Sequence, residues 1–275
     1  MLEIPEAHNL VKQINSLLIN KIVKEVIANK HQHKLAWFYG DPADYNQQLL
    51  GKTVQGAFAY GGLVEIKFQD VNLLFGDGVS LQYFQANQKE PIKHQLLIKF
   101  EDGAFLTSSV KMYGGIWCFK NNSFDNIYYT MAKEKPSPLS AQFNYEYFTT
   151  NILDERAKNK RMKAVLATKQ SIPGLGNGVL QDILFNAKIN PKRKVSTLNE
   201  IERLQLFDSV KNTLKEMSNK GGRDTETDLF GAKGGYKTKM TSSNAKQPCP
   251  DCKSEIIKEA YLGGSIYYCP NCQKL

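Results

Sequence analysis

The stretch "IPGLGNGVLQDILFNAKINP", residues 172–191, joins a glycine-rich turn to an apolar helical pattern. Gly174, Gly176 and Gly178 surround the point where apolar side chains begin to recur at helical spacing. Glycines let a ligand approach the backbone closely, and a helix N-terminus offers free N–H groups to an anion. The stretch therefore predicts a phosphate-type site to which Asn177 adds a side-chain donor, although similar glycines also form turns that bind nothing.

The chain on both sides of this stretch is helical in pattern. Residues 154–170, "DERAKNKRMKAVLATKQ", have the spacing of a helix, and Lys192, Arg193 and Lys194 extend the positive charge beyond the turn segment. Thr197 and Glu200 have the spacing of a capping box, which predicts a long helix that ends at "NKGG". The glycine- and charge-rich residues 221–240 then form an ordered loop.

The N-terminal half has a different texture. Leu10, Ile14 and Leu18 predict an amphipathic first helix, and short β-like runs broken by turn signals follow up to about residue 119. "EDG" between two alternating runs predicts a hairpin turn. Runs this frequent favour an antiparallel sandwich or barrel-like sheet. Pro136 and Pro138 mark a linker before the helical part.

Four of the five cysteines form two CxxC pairs near the C-terminus: Cys249, Cys252, Cys269 and Cys272. Two such knuckles supply four thiolates to a tetrahedral Zn²⁺, and four protein ligands leave no open position for catalysis. We therefore predict structural zinc, the alternative being a redox role for the pairs. Cys118, between Trp117 and Phe119, is predicted to be an inert core residue.

Composition limits the classes of function. The 275-residue chain carries a net charge of +9 and a pI of about 9.1, which suits a polyanionic partner, although many basic proteins bind none. An apolar fraction of 41% excludes wholesale disorder. The chain contains no apolar run of about 18 residues, so no membrane span is expected. The cysteine usage predicts a reducing cytoplasm, where a DNA-binding protein would associate with a bacterial-type nucleoid.

Three separated motifs resemble the formamidopyrimidine-DNA glycosylase and endonuclease VIII family. "EIPE" near the N-terminus is similar to the family's "ELPE", residues 172–191 to its helix–two-turn–helix segment, and "CPDC…YYCPNCQ" to its zinc finger. "GGRDTETDLFG…GGY" matches the segment between the last two. The motifs occur in the family's order across nearly the whole chain.

The resemblance implies a two-lobed α+β protein that grips double-stranded, damaged or abasic DNA in a basic cleft and flips the lesion out. The implied domains are a catalytic-type helix and β-sandwich domain at 1–133, a linker at 134–142, a helix–two-turn–helix domain at 143–233 and a zinc finger at 234–275. We expect a monomer with no membrane partner.

The resemblance also implies roles for individual residues. Glu3 stands at the position of the family's proton-shuttling carboxylate, and Glu6 at a neighbouring acidic position that supports the N-terminal turn. A plainer role for Glu3 is that of a carboxylate at a helix N-terminus. The DNA-contacting positions are Asn177 with Gly176 at the phosphate grip and Tyr113 as an aromatic wedge, with Lys111 or Met112 in the place of a base-contacting arginine. Lys192 and Arg193 are further candidates because of their charge.

Three positions depart from the family pattern. Leu2 stands where the family has its nucleophilic proline, and a bulky second residue normally preserves Met1, whose primary amine is then displaced by one residue. Gly62 and Gly264 stand where the family has a phosphate-contacting lysine and the zinc-hairpin arginine; Lys67 or Lys52 are candidates to replace them. Two functions stay open: a glycosylase with weak or absent lyase action, or an inactive protein that binds damaged or abasic DNA.

Overall fold

The computed structural model describes residues 1–275 and divides into two compact units. The sheet unit comprises Met1–Thr130 and Gly221–Gly235, and the helical unit comprises Met131–Lys220 and Tyr236–Leu275. Residues 221–233, which the sequence placed with the helical domain, thus group with the sheet unit. The physical reason is burial, because Leu229 joins the apolar core of the sheet unit and Arg223 is buried against two of its carboxylates.

The sheet unit consists of a first helix and a seven-stranded sheet. Helix α1, Ile4–Leu18, has Pro5 in its first turn, where a missing N–H costs nothing, and buries Leu10, Ile14 and Leu18. The strands are β1 Val23–Ala28, β2 Ala36–Phe38, β3 Gly56–Tyr60, β4 Leu63–Lys67, β5 Val71–Phe84, β6 Leu96–Phe100 and β7 Phe105–Lys120. The short helices are a 3₁₀ turn at Pro42–Asp44, α2 Tyr45–Leu49 and, at the boundary between the units, α3 Ile127–Glu134.

The sheet is antiparallel in the order β1-β6-β7-β5-β4-β3, as expected from the alternating sequence runs. Strand β2 is an exception, because it pairs with β7 in parallel through Ala36–Gly114 and its neighbours. The predicted "EDG" turn joins β6 to β7. A bulge between Asp77 and Val79 interrupts the long β5–β7 ladder. Cys118 is buried in the apolar core, and that burial raises its thiol pKa to about 12, which makes it inert.

The helical unit is assembled mainly from α5 Asn177–Asn186 and α6 Glu200–Asn219, which pack together. Its shorter elements are α4 Tyr145–Tyr147, π-helical turns at Phe148–Ile152 and Ala164–Thr168, 3₁₀ turns at Val195–Thr197 and Ser242–Asn244, and the hairpin β8 Ile257–Ala260 with β9 Ser265–Tyr268. Of the predicted helix at 154–170, only residues 162–168 are helical. The Asp154 side chain instead accepts the N–H of Ala157 and closes a turn.

The capping box of α6 lies two residues beyond the predicted one. Asn199 is the N-cap, its side chain accepts the N–H of Glu202, and the Glu202 carboxylate accepts the N–H of Asn199 in return. Thr197 is part of a 3₁₀ turn and does not cap the helix. The sequence contains both Thr-x-x-Glu and Asn-x-x-Glu. Because Thr197 lies inside the 3₁₀ turn, the helix begins after Asn199 and the second pattern forms the capping box. No helix of the protein combines the length and the apolarity that a membrane span requires.

Candidate functional site

The N-terminus of the sheet unit is held by a backbone hydrogen bond and an ion pair. The Leu2 N–H donates to the carbonyl of Asp77 at 2.7 Å, and the Leu2 side chain is buried in the apolar core. Met1 is exposed, and its α-ammonium lies 2.5 Å from a carboxylate oxygen of Glu226. Leu2, for which the resemblance expects a proline, is therefore a core side chain, and the primary amine lies one residue further out.

Glu3 and Glu6 share a buried counterion that the sequence reasoning missed, Arg223. The guanidinium binds Glu6 closely, with Nε and Nη2 donating to its two oxygens at 3.0 and 2.8 Å, whereas Nη1 lies 3.6 Å from Glu3. All three side chains are at least 95% buried. Glu3 is the N-cap residue of α1, and its side chain makes no capping hydrogen bond there.

The loop that carries Arg223 is shaped to fit α1. Gly222 has φ +101°, and a Cβ there would lie 3.4 Å from Glu6 Oε1. The Arg223 N–H also donates to Glu6 Oε1, at 3.1 Å. Burial alone would lower the pKa of Arg223, but the carboxylates of Glu3 and Glu6 reverse the direction and raise it. The arginine is therefore a permanent cation between the two carboxylates. The feature of the sequence that could have indicated this role is the position of Arg223, a charged residue inside a glycine-rich segment.

The predicted wedge residues lie on β7 beside the parallel strand β2. The Tyr113 ring packs against Trp37, with 5.7 Å between centroids, while Lys111 and Met112 are exposed. A Cβ at Gly78 would lie 2.4 Å from the Tyr113 carbonyl, so only glycine fits opposite the wedge at the bulge. Trp37, exposed by 44%, extends the aromatic surface of Tyr113 and was not singled out from the sequence.

Gly62, where the resemblance expects a lysine, lies at the tip of a tight hairpin. Gly61, with φ +57°, and Gly62 form the two-residue turn between β3 and β4. The proposed substitutes have other contacts: Lys52 is ion-paired with Asp70, and Lys67 lies over the Phe58 ring and 3.6 Å from the buried Glu65. Neither lysine is brought to Gly62 by an observed contact.

Asn177 begins helix α5, with Gly176 as its N-cap. The Asn177 amide donates to the carbonyl of Ser265 in the C-terminal hairpin at 2.8 Å and accepts from Gln181 at 3.0 Å. Gln181 also accepts the N–H of Tyr267. The glycine-rich turn and the hairpin are thus joined through side-chain amides, and Asn177 has a fixed orientation at the helix N-terminus.

Lys192 and Arg193 make internal ion pairs. Lys192 lies 2.8 Å from Glu259, and Arg193 binds both oxygens of Glu202, the capping residue of α6. These pairs link the glycine-rich segment to its neighbours in the helical unit. A DNA contact by Lys192 or Arg193 stays a prediction.

The four C-terminal cysteines converge at one point. Their sulfur atoms all lie within 4.8 Å of one another, with Cys252 and Cys269 3.3 Å apart and Cys249 and Cys272 3.9 Å apart. Sulfurs about 2.3 Å from one tetrahedral Zn²⁺ are about 3.8 Å apart, so the donor set and spacing fit this ion. The buried Gln273 joins the cluster to the end of α5 by donating to the Ile189 carbonyl.

Comparisons with known proteins place this geometry in context. A family model described as the formamidopyrimidine-DNA glycosylase H2TH domain matches residues 135–228. The formamidopyrimidine-DNA glycosylase of Cytobacillus firmus is 25% identical over 282 aligned positions, covering 99% of this chain and 100% of that protein. The Shouchella clausii protein of the same name is 27% identical, with 99% of each chain covered.

Solved structures share the fold. The Lactococcus lactis Fpg, in complex with DNA that contains an abasic site, aligns with a TM-score of 0.84 at 21% identity, covering 99% of this chain and 100% of that one. The MutM (Fpg) protein of Thermus thermophilus aligns with a TM-score of 0.81 at 18% identity, covering 98% of each chain. Both alignments include the sheet unit, the helical unit and the C-terminal hairpin.

Proposed function

The chain belongs to the formamidopyrimidine-DNA glycosylase family, and from this membership we propose that it is a base-excision DNA glycosylase. It binds damaged duplex DNA, turns the lesion out of the stack and breaks the N-glycosidic bond, with weak or absent lyase action. The observation that carries this proposal is the buried Glu3 carboxylate, retained at the head of α1 and held less closely by Arg223 than Glu6 is.

Double-stranded DNA is the partner that best fits the charge and the helical unit. A net charge of +9 suits a polyanion, and the fixed Asn177 amide at the start of α5 suits a phosphate oxygen. Tyr113 with Trp37 offers an exposed aromatic surface able to stack where a base has been removed from the helix. We assign Lys111 and Met112 to contacts beside that wedge.

The two carboxylates at the N-terminus differ in how closely Arg223 holds them. Glu6 receives three hydrogen bonds from Arg223, counting its backbone N–H, and so serves the fold. Glu3 is 3.6 Å from the same guanidinium. In the proposed step, Glu3 takes a proton from water as the water oxygen bonds to C1′. The electrons of the C1′–N bond leave with the base, which takes up the proton that Glu3 has received.

The lyase reaction needs an amine placed to attack C1′, and the N-terminus does not favour that position. The Met1 nitrogen is held 2.5 Å from a carboxylate oxygen of Glu226. This nitrogen is also displaced from the family position by one residue, about 3.8 Å, and misplacement by about 1 Å already costs about a hundredfold. Schiff-base formation is therefore expected to be slow or absent.

The test uses the full chain loaded with zinc and duplexes that carry single oxidised purines, oxidised pyrimidines or abasic sites. We expect base release without an adduct trapped by borohydride. Glu3→Gln should lower base release by about 10²–10⁴-fold and leave DNA affinity within about threefold, since Glu3 touches no phosphate in this mechanism. Equal base release by Glu3→Gln removes Glu3 from the mechanism, and an adduct at Met1 contradicts the assignment of a weak lyase.

A second function, an inactive protein that binds damaged or abasic DNA, is favoured by the burial of Leu2 and by the internal pairing of Met1. Under that function the protein binds lesion-bearing duplex more tightly than intact duplex and releases no base from any of the lesions tested. The same set of duplexes therefore decides between the two functions.

We also propose that Cys249, Cys252, Cys269 and Cys272 hold one structural Zn²⁺. The ion supplies a rigid base for the hairpin that meets Asn177, and no chemical step involves it. We propose further that the protein is a monomer that works at the DNA of a bacterial-type cytoplasm. We expect elemental analysis to find one zinc ion per chain. Substitution of one of the four cysteines by serine should lower the zinc content.

A further inference from the structure

Lys163 is a buried cation without an anionic partner. Its side chain is 97% buried, and its ammonium donates to a single acceptor, the backbone carbonyl of Tyr261. It takes part in none of the ion pairs of the protein. Burial without a counterion lowers the pKa of Lys163. A buried charge that lacks a partner is energetically costly, so an anion that binds next to the ammonium of Lys163 stabilises it.

The ammonium faces the position where the family resemblance expects an arginine. A Cβ placed on Gly264 would lie 3.5 Å from Lys163 Nζ and 3.7 Å from Asn177 Nδ2. Both nitrogens therefore border the same small volume, which glycine leaves open. Next to it, Gly263 has φ +72° and nothing within 4 Å of its own Cβ position, so an anion meets no side chain on approach from that side.

We propose that Lys163 and Asn177 together bind one DNA backbone phosphate above Gly264, with Lys163 supplying the charge of the absent arginine. This inference rests on the proposed DNA-binding function and names a binding residue within it. A phosphate oxygen completes the hydrogen bonding of the ammonium and takes the second N–H of the Asn177 amide, whose first N–H is used by Ser265. All the groups involved belong to the helical unit.

The competing role for Lys163 is structural, since it also fixes the turn of the hairpin through the Tyr261 carbonyl. The two roles differ in what they change. A phosphate contact by a cation releases a counterion, so its loss lowers the slope of the logarithm of affinity against the logarithm of salt concentration by about 0.9. If Lys163 only supports the turn, its substitution lowers the affinity for DNA but leaves this slope nearly unchanged.

The experiment measures the affinity for a short duplex with one abasic-site analogue at several salt concentrations. Lys163→Gln keeps a donor for Tyr261 but removes the charge, and Lys163→Arg keeps the charge. We expect Lys163→Gln to bind about tenfold more weakly with a slope lower by about one contact, while Lys163→Arg keeps the native slope. Asn177→Ala, the neutral control, should weaken binding to all sequences alike and leave the slope unchanged.

The double variant Lys163→Gln with Gly264→Arg provides the decisive result, because it returns a cation to the same volume from the hairpin side. We expect it to regain the native slope. An unchanged slope in Lys163→Gln, or a lowered slope that Gly264→Arg does not restore, overturns the assignment of Lys163. Absence of DNA binding by the wild type instead rejects the proposed function itself, so the two failures are distinguishable.

Discussion

Two regions depart from the pattern that the resemblance implies, and they do so in opposite ways. The N-terminal region comprises residues 1–6 with Arg223, and the Asn177 region comprises Asn177, Lys163 and the C-terminal hairpin with Gly264. Around the N-terminus, each charged group has an internal partner: Arg223 lies between Glu3 and Glu6, and the Met1 amine lies against Glu226. In the Asn177 region, Gly264 leaves open space in front of the buried ammonium of Lys163, which has no anionic partner. The charges of the N-terminal region are paired within the protein, whereas the ammonium of Lys163 can still pair with a ligand.

The difference shows how a substitution can be interpreted from the electrostatics of its neighbours. Leu2 stands where the resemblance expects a reactive residue, and its side chain is buried in the apolar core. Gly264 stands where the resemblance expects a cation, and it leaves an open space that Lys163 faces. We infer that DNA binding has been retained more fully than the lyase chemistry.

Removal of the proposed zinc ion should have the largest effect, and it should act on the Asn177 region alone. Structural zinc supplies about 10–16 kcal/mol of folding free energy in zinc-finger peptides. A strong chelator should therefore release the hairpin that carries Ser265 and lower DNA affinity by more than about a hundredfold. Affinity measured before chelation, after chelation and after addition of Zn²⁺ checks this result.

The two tryptophans provide an internal control for that experiment, because Trp37 and Trp117 both belong to the sheet unit. Their emission should stay unchanged while the chelator abolishes binding. A shift of tryptophan emission on chelation contradicts the confinement of the effect to the Asn177 region. Binding that survives complete loss of zinc contradicts the role of the hairpin.

The next largest effect is expected in the N-terminal region. Arg223→Met keeps most of the side-chain volume but leaves Glu3 and Glu6 buried without their counterion. Breaking a buried ion pair from one side costs about 3–5 kcal/mol. Urea unfolding followed by tryptophan emission should show a loss of this size in the free energy of unfolding.

The matched control removes all three charges at once. A triple variant with Glu3→Gln, Glu6→Gln and Arg223→Met has no uncompensated charge, and we expect it to regain at least half of the lost stability. A loss of less than about 1 kcal/mol in Arg223→Met would show that the buried pairing is unimportant. The N-terminal region would then not be stabilised by internal charge pairing, and this difference from the Asn177 region would disappear.

The parts of the fold that follow local periodicity were accessible from the sequence. The spacing of Leu10, Ile14 and Leu18 predicted α1, alternation predicted the antiparallel sheet, and the two CxxC pairs predicted the cysteine cluster. Long-range partners were not accessible in this way. Arg223 meets Glu6 across 217 positions of sequence, and no local pattern encodes such a contact.

The same limit applies to individual residues. Lys192 and Arg193 were chosen from their charge alone, and a sequence does not show that they pair with Glu259 and Glu202. Lys163 was overlooked for the converse reason, since one lysine in the run of basic residues from Lys158 to Lys169 has no distinguishing signal. What separates these lysines is burial, and burial is a property of the assembled unit.

The smallest expected effect concerns pH and returns to Lys163. Burial lowers its pKa in the free protein, whereas a bound phosphate stabilises its charged form, so binding takes up a proton once pH approaches that lowered pKa. Between about pH 7 and about pH 9.5, affinity should therefore fall about two- to fivefold further in the wild type than in Lys163→Arg, whose guanidinium stays charged. All other basic groups are common to both proteins, so the ratio of their affinities isolates residue 163. Parallel pH profiles would mean that the ammonium meets no phosphate, and both regions would then be closed by internal contacts alone.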